Sequence, residues 1–507
     1  AIKVLKTDKS CKNGDIPAEA FKAIAADKGA AFAWVLEFCN LCWNSKSVPA
    51  DWSVASVALI YKKGDPGFCA NYRPICLLSI AHKIFAAVLK QRLLTAGIDE
   101  TIWASQFGFR SACSTDDAIF IARRRIEIAR AQRNGSISLL ALDWKMAFDS
   151  MNVESLLDAL RRAGLPTSFL EMISGILLAR RFYVKDFGSC SDERDQLSGI
   201  SQGCTLSPLL FIVAMSVLLH DAVGLLGPSA AQLYSTGDLA DLVYADDTLI
   251  IGVDRLHIEE YLQAVYVAGQ RYGMELHFGK FQLISSLNVP HPVTTPLGTT
   301  IEPKLAMDYL GSSIHGDGCA DHEISRRIAM ARGDFDALAK TWTHSALTWK
   351  EKLYIFGSLV ESRLLYSLAS LVFTAAQKRK IDGFQNRCLR RIIGVPPAYI
   401  SRVSNVAVLA KASYRRATDL LLKKRLQLFG KILRSPEGHP LRTAAFIPGT
   451  TTPATERFVR RVGRPAKEWI REAVQETVAL FGSLHAALPQ AMEKETWNIA
   501  LFDKLNF

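Results

Sequence analysis

Two adjacent acids, Asp246 and Asp247, interrupt an apolar stretch, with Leu242-Val243-Tyr244-Ala245 before them and Thr248-Leu249-Ile250-Ile251 after. Such runs read as two buried strands, and an Asp pair between them belongs at a tight turn. A third acid, Asp143, ends another apolar run, Ile137-Ser138-Leu139-Leu140-Ala141-Leu142. Carboxylates at the ends of buried strands are costly unless paired or bound to a metal. If the two runs are neighbours in one sheet, Asp143 and Asp246 converge. Two such carboxylates can hold a pair of magnesium ions about 4 Å apart, as in-line phosphoryl transfer requires. Taken alone, the pattern also reads as a hairpin turn beside an unrelated strand-end Asp.

The chain has 507 residues, of which 49% are hydrophobic. That is enough for two to four domains with real cores and excludes a disordered chain. The net charge of +12 favours a polyanionic partner. Residues 321–471 carry 29 Lys/Arg against 11 Asp/Glu, whereas the rest of the chain carries 32 against 38. An acidic part suited to metal chemistry is therefore followed by a basic part suited to gripping nucleic acid. The longest apolar run, Pro208 to Leu219, is too short to cross a bilayer, so no membrane is expected. Cys39 and Cys42 have C-x-x-C spacing but lie in an apolar, aromatic helical stretch. They read as buried structural thiols, and a reducing compartment fits.

A strand is expected over Val54 to Tyr61, and a helix from about Ser79 to Leu94 with Ile80, Ile84, Phe85, Val88 and Leu89 on one face. Residues 126–320 alternate strands and helices, and 321–440 read as helical. Residues 446–455, rich in Thr and Pro, read as a linker before a final piece, 456–507.

In order along the chain stand Asn71-Tyr72-Arg73-Pro74-Ile75-Cys76-Leu77-Leu78, Gln106-Phe107-Gly108-Phe109-Arg110, Leu142-Asp143-Trp144-Lys145-Met146-Ala147-Phe148-Asp149, Gly199-Ile200-Ser201-Gln202-Gly203-Cys204, Tyr244-Ala245-Asp246-Asp247 and Tyr309-Leu310-Gly311. Six motifs in this order and spacing resemble the reverse transcriptases of non-LTR, LINE-like retrotransposons. The resemblance covers roughly residues 1–435. It implies an α+β right-hand polymerase, with fingers over 1–125, palm over 126–320, a basic helical thumb over 321–445, and a linker with a small C-terminal extension over 446–507.

The resemblance also implies roles. Asp143, Asp246 and Asp247 form the catalytic set and hold two magnesium ions, with manganese as a substitute and the Trp144 carbonyl as a further oxygen. Phe148 lies under the incoming sugar and excludes a 2′-hydroxyl, so dNTPs are the substrate; without the motif it reads as a core Phe. Lys62 and Arg73 reach the triphosphate, with ordinary surface charge as the competing reading. Gln202 and Gly203 pack against template and nucleotide, where a plain loop is the alternative. Tyr272-Gly273-Met274-Glu275-Leu276-His277-Phe278-Gly279-Lys280 is the poorest match; it sets Lys280 near the leaving pyrophosphate. On the thumb, Arg387, Arg390, Arg391, Lys423, Lys424 and Arg425 follow the backbone of a template–primer duplex, a contact blind to sequence.

Expected partners are an RNA template, a DNA primer, their RNA–DNA hybrid and dNTPs. Ala1 opens the chain without a clear start, as in a fragment of a longer polyprotein, and an endonuclease is expected upstream. The family's need for chromosomal DNA implies nuclear action, with a cytoplasmic ribonucleoprotein stage. Met146, His277 and Phe281 depart from the family's usual Lys, Asn and Ser or Thr, and Asn13-Gly14-Asp15-Ile16-Pro17 only approximates its N-terminal pattern. They keep open a nucleic-acid-binding relic that no longer polymerises. A group II intron-type maturase is a further alternative. Phe148 disfavours an RNA-dependent RNA polymerase. Arg460-Arg461-Val462-Gly463-Arg464-Pro465 reads as a basic loop leading into a helix at Ala466, with an AT-rich minor groove as its other reading.

Overall fold

The structure, a computed structural model, describes residues 1–8, 15–178, 180–186, 188–286, 291–463 and 467–505. Asn13, Gly14 and Arg464 to Ala466, singled out above, lie outside the described residues. The elements that position the site begin with α1 (Ala30–Ser45), β1 (Val54–Tyr61), β2 (Tyr72–Leu77), α2 (Ile80–Thr95) and α3 (Thr115–Ala131). There follow β3 (Ser138–Leu142), β4 (Arg181–Asp186), α4 (Ser207–Gly224), β5 (Leu239–Tyr244), β6 (Asp247–Gly252), α5 (Arg255–Arg271), β7 (Gln282–Ser285), β8 (Ala306–Tyr309) and β9 (Ser312–His315). The chain then turns helical, with α6 (Asp321–Ala337), α7 (Ala375–Ile392), α8 (Ala417–Arg434), α9 (Trp469–Phe481), α10 (Leu484–Ala491) and α11 (Lys494–Lys504) among its helices.

The central sheet runs β7-β3-β6-β5, all antiparallel, with the short strand Pro303–Lys304 parallel on the β7 edge. Its strands are apolar at nearly every position because both faces are covered. Side chains alternate between faces: Leu140, Leu142, Val243, Ile250 and Leu283 enter the core with α4 and α5. Leu139, Leu242, Leu249, Ile251 and Ile284 enter a second core with α3, α8 and α9 to α11. A second sheet joins β2, β1 and β4, so residues 181–186 pair in space with the N-terminal strands rather than with the central sheet. Helices α6 and α7 enclose a third core.

Three readings change. Residues 446–455 are no linker: Phe446 and Pro453 form a β-bridge, and Phe446 and Ala454 are buried in the second core. The segment after it is no appendage, since Trp469 and Trp497 are wholly buried against α3 and α8. The apolar run from Pro208 lies within the 18-residue helix α4, long and apolar enough to cross a membrane, but two-thirds of it is buried in the protein as a core helix. Of the C-x-x-C pair, Cys42 is buried and Cys39 half-buried in α1.

Candidate active site

The turn between β5 and β6 consists of Ala245 and Asp246, and Tyr244 pairs with Asp247 across it. Ala245 adopts φ +60°, a left-handed conformation that a non-glycine residue holds only when its surroundings impose it. Leu142 pairs with Thr248, so Asp143, the next residue, emerges beside this turn. Asp246 and Asp247 both feel the charge of Asp143. Burial raises the Asp246 carboxyl, the Asp143 charge adds to the rise, and the Arg73 guanidinium opposes it. Asp247 is open to solvent along one edge, yet loss of hydration and then the charges of Asp246 and Asp143 push it up to about 6. A cation among these acids would relieve that repulsion.

The strand end is fastened on both sides. Trp144 is buried and donates from Nε1 to Thr248 Oγ1 at 3.2 Å; Thr248 Oγ1 in turn donates to the Asp246 carbonyl at 3.1 Å. Trp144 faces Leu276 across a bridge closed by His277 N–H to the Asp143 carbonyl, 2.7 Å, and Lys145 N–H to the Glu275 carbonyl, 2.8 Å. This pairing carries Lys280 to the site, where its Nζ lies 3.0 Å from Asp143 Oδ2. Among the described residues no three Asp, Glu, His or Cys side chains close around one point. The donor set is aspartates with backbone oxygens, which suits magnesium: that ion commonly takes one or two carboxylates and completes its shell with substrate phosphates and water.

Phe148 lies half-buried on the segment that follows Asp143. Its ring stacks on Phe211 at 4.1 Å and meets the edge of Phe109 at 6.0 Å. The turn carrying Gln202 and Gly203 is zipped to the same segment: Gly199 N–H reaches the Met151 carbonyl at 2.8 Å, and Ile200 N–H the Phe148 carbonyl at 2.7 Å. Gln202 Nε2 donates to Asp149 Oδ2 at 2.8 Å, and its carbonyl accepts from Cys76 N–H at 2.7 Å. Gly203, at φ +126°, lies so close to the Cys76 carbonyl that a Cβ would collide with it. Buried Arg180 donates to the Gly199 carbonyl at 2.5 Å and Ser201 Oγ at 3.2 Å, bracing the turn from below. Arg73 is exposed on β2, three residues before Cys76, and Lys62 is exposed just after β1, where its charge acts on Asp149.

Two further residues at the site escaped the sequence reading. Gln106 is wholly buried; its Oε1 accepts from Ala245 N–H and Gly108 N–H, each at 2.8 Å, while Nε2 donates to the Ala245 carbonyl at 3.1 Å. It therefore clamps the left-handed residue that aims Asp246. Gly108 rests against the Ala245 backbone with no room for a Cβ. Asp149 is the second, through its bond to Gln202. The one signal was Gln106 itself, an amide inside an aromatic and glycine-rich segment.

The basic helical clusters divide. Arg390 is buried and donates to the carbonyls of Pro396 at 3.0 Å and Val403 at 2.6 Å, so it holds the loop after α7 and is no nucleic-acid contact. Arg425 is likewise buried, paired with Glu476 at 2.7 Å and donating to the Leu371 carbonyl at 2.9 Å. It joins α8 to α9 and is also withdrawn from the nucleic-acid surface. Arg387 and Lys424 are exposed. Arg391, also exposed, lies 3.8 Å from Asp336, and Lys423 lies over the Phe502 ring.

A family model described as "Reverse transcriptase (RNA-dependent DNA polymerase)" matches residues 60–314, half of the chain. The "Probable RNA-directed DNA polymerase from transposon BS" of Drosophila melanogaster is 26% identical over 407 residues, covering 78% of this chain and 44% of that protein. A Pol polyprotein from the type-1 retrotransposable element R2 of Popillia japonica is 25% identical over 361 residues, covering 68% of this chain and 48% of that protein. The chain thus spans less than half the length of these relatives. Among solved structures, an apo telomerase from Candida tropicalis, truncated of its C-terminal domain, overlaps at TM-score 0.39 and 12% identity, covering 61% of each chain.

Proposed function

The chain belongs to the reverse transcriptase family, and from that premise we propose that it is the RNA-directed DNA polymerase of a non-LTR retrotransposon. The family generally uses divalent metal ions. The observation that carries the reading is the juxtaposition of Asp143 with Asp246 and Asp247 at one end of a sheet buried on both faces. In this reading the primer 3′-hydroxyl attacks the α-phosphate of a dNTP paired with an RNA template, and pyrophosphate departs. The nucleophile belongs to the substrate, so the protein positions the reactants and offsets charge. Two magnesium ions, replaceable by manganese, supply Lewis-acid stabilisation of the reacting phosphate when bound. Asp143 and Asp246 would hold them, the Trp144 carbonyl would add an oxygen, and Asp247 would support the site.

Arg73 and Lys62 hold the triphosphate, and Lys280 supplies a proton to the departing pyrophosphate. Gln202 and Gly203 set the nucleotide against the template, with Asp149 orienting Gln202. Arg387, Arg391, Lys423 and Lys424 follow the hybrid backbone. Fingers, palm and thumb divide near residues 125 and 320, with 181–186 joined to the fingers sheet. The primer end is a nick in chromosomal DNA in the nucleus, opened by an endonuclease encoded upstream.

The test is extension of a DNA primer annealed to RNA, with magnesium and either dNTPs or NTPs. Extension with dNTPs alone is expected. Phe148→Ala should raise NTP incorporation about tenfold or more, the scale of discrimination that a shaped pocket provides. Unchanged sugar preference in the variant removes Phe148 from the nucleotide pocket. Absence of extension, with hybrid binding intact, overturns the polymerase reading.

A further inference from the structure

A cleft of about 390 Å³ lies at the end of the central sheet opposite the aspartates. It is framed by the second half of α3, the turn after β9, and the strap Arg460 to Gly463. Its position follows from the strands. Ser138, which opens β3, pairs with Ser285, and the backbone at Gly316 lies against Ser285. Asp143 stands five residues along β3 from Ser138, roughly 17 Å away at the rise of an extended strand.

The strap is pinned in place. Gln132 and Arg460 form a β-bridge, Arg461 N–H donates to the Ala131 carbonyl at 2.9 Å, and Arg133 N–H to the Val459 carbonyl at 2.7 Å. The cleft's acids already have partners. Glu323 holds Arg327 at 2.6 Å, Glu468 holds Arg471 at 3.1 Å, Asp317 pairs with His315 at 2.6 Å, and Glu127 pairs with Arg124 and accepts from Trp469 N–H. Of the cations, buried Arg123 is spent on Ser312, Ser367 and Ser370, Arg460 lies against Glu456, and Lys467 against Glu472. Two remain: among the described residues, neither the Arg130 nor the Arg461 side chain has an ion-pair or hydrogen-bond partner, and both are exposed. The lining also includes the aliphatic side chains of Ile126, Val372 and Val462.

We propose that this cleft binds one nucleotide of an unpaired nucleic-acid strand, its phosphate between Arg130 and Arg461 and its base against Ile126, Val372 and Val462. The volume falls in the range of sites that enclose a small ligand. Guanidinium groups grip phosphate in a bidentate way. An unpaired strand offers a free base face, which a duplex hides. The ligand class rests on the polymerase reading; the cleft and its two free arginines do not. A strand held here, behind the catalytic end, would be tethered while the hybrid occupies the front.

The test is fluorescence anisotropy with the full chain and single-stranded RNA and DNA of one sequence, with a short unlabelled hybrid present to fill the catalytic cleft. Arg130→Glu combined with Arg461→Glu should weaken strand binding at least about tenfold and flatten the salt dependence by about one phosphate contact. Val462→Trp, which fills the cleft without changing charge, should weaken it as well. A preference for one strand type identifies the natural source. Unchanged affinity in either variant overturns the proposal. If a variant shifts thermal unfolding, photocrosslinking of 4-thiouridine RNA to the unsubstituted chain decides: crosslinks at Ile126 or Val462 support the site, and crosslinks confined elsewhere overturn it. Neither readout needs polymerisation, so a chain that extends no primer can still pass.

Discussion

At the scale of single residues, only a few side chains aim the acids. Asp143, Asp246 and Asp247 could be picked out in the sequence because charge inside an apolar run needs a reason. Their meeting follows from one register, Leu142 opposite Thr248. Gln106 could not be assigned a role, because it acts across 139 residues through three hydrogen bonds to the turn and to Gly108. Replacing it tests that role. Gln106→Leu leaves the N–H groups of Ala245 and Gly108 buried without partners, a cost of about 1–3 kcal/mol each. It should raise the magnesium concentration for half-maximal extension while hybrid affinity stays near its original value. A fall in hybrid affinity with an unchanged magnesium midpoint would show that Gln106 is only structural.

At the scale of elements, β1 was legible to the residue, and α2 within one residue at each end, because a continuous apolar run and a capped amphipathic pattern are local signals. The fate of the cations was not. Both α7 and α8 carry charge on several faces, so proximity in sequence grouped Arg425 with Lys424. The helical period separates them: Leu421, Arg425, Leu428 and Ile432 share one buried face. Consequences diverge accordingly. Arg425→Ala strands Glu476 in the interior and should lower unfolding stability by about 3–5 kcal/mol, read by denaturant titration. Lys424→Glu should leave stability within about 0.5 kcal/mol, as surface changes do, and reduce the salt slope of hybrid binding by about one contact. Equal destabilisation by the two would contradict the division drawn between them.

For the whole molecule, the central sheet is a shared wall between two cores, and the second core is closed by the end of the chain. Composition pointed the other way, since a Thr- and Pro-rich stretch reads as a linker whether it is exposed or folded into a bridge. What distinguishes the two is burial of Phe446 and Ala454 in a core shared with nearby α8 and with α3, which lies more than 300 residues earlier in sequence. Trp469→Ala empties a site against Phe120 and Phe429 and should cost about 3–5 kcal/mol. The loss should appear as cooperative unfolding of the catalytic half, since α3 covers the sheet that carries Asp143. An unchanged thermal transition would show that the C-terminal helices are dispensable. The central claim, that aspartates at one end of this sheet hold divalent ions for nucleotidyl transfer, is tested most directly by RNA-templated primer extension in magnesium. The original chain and Asp246→Asn would be compared, with hybrid binding measured alongside. Extension by the variant should fall roughly a thousandfold or more, about 4 kcal/mol of transition-state stabilisation, at undiminished hybrid affinity. Extension by Asp246→Asn at the original rate would contradict the claim.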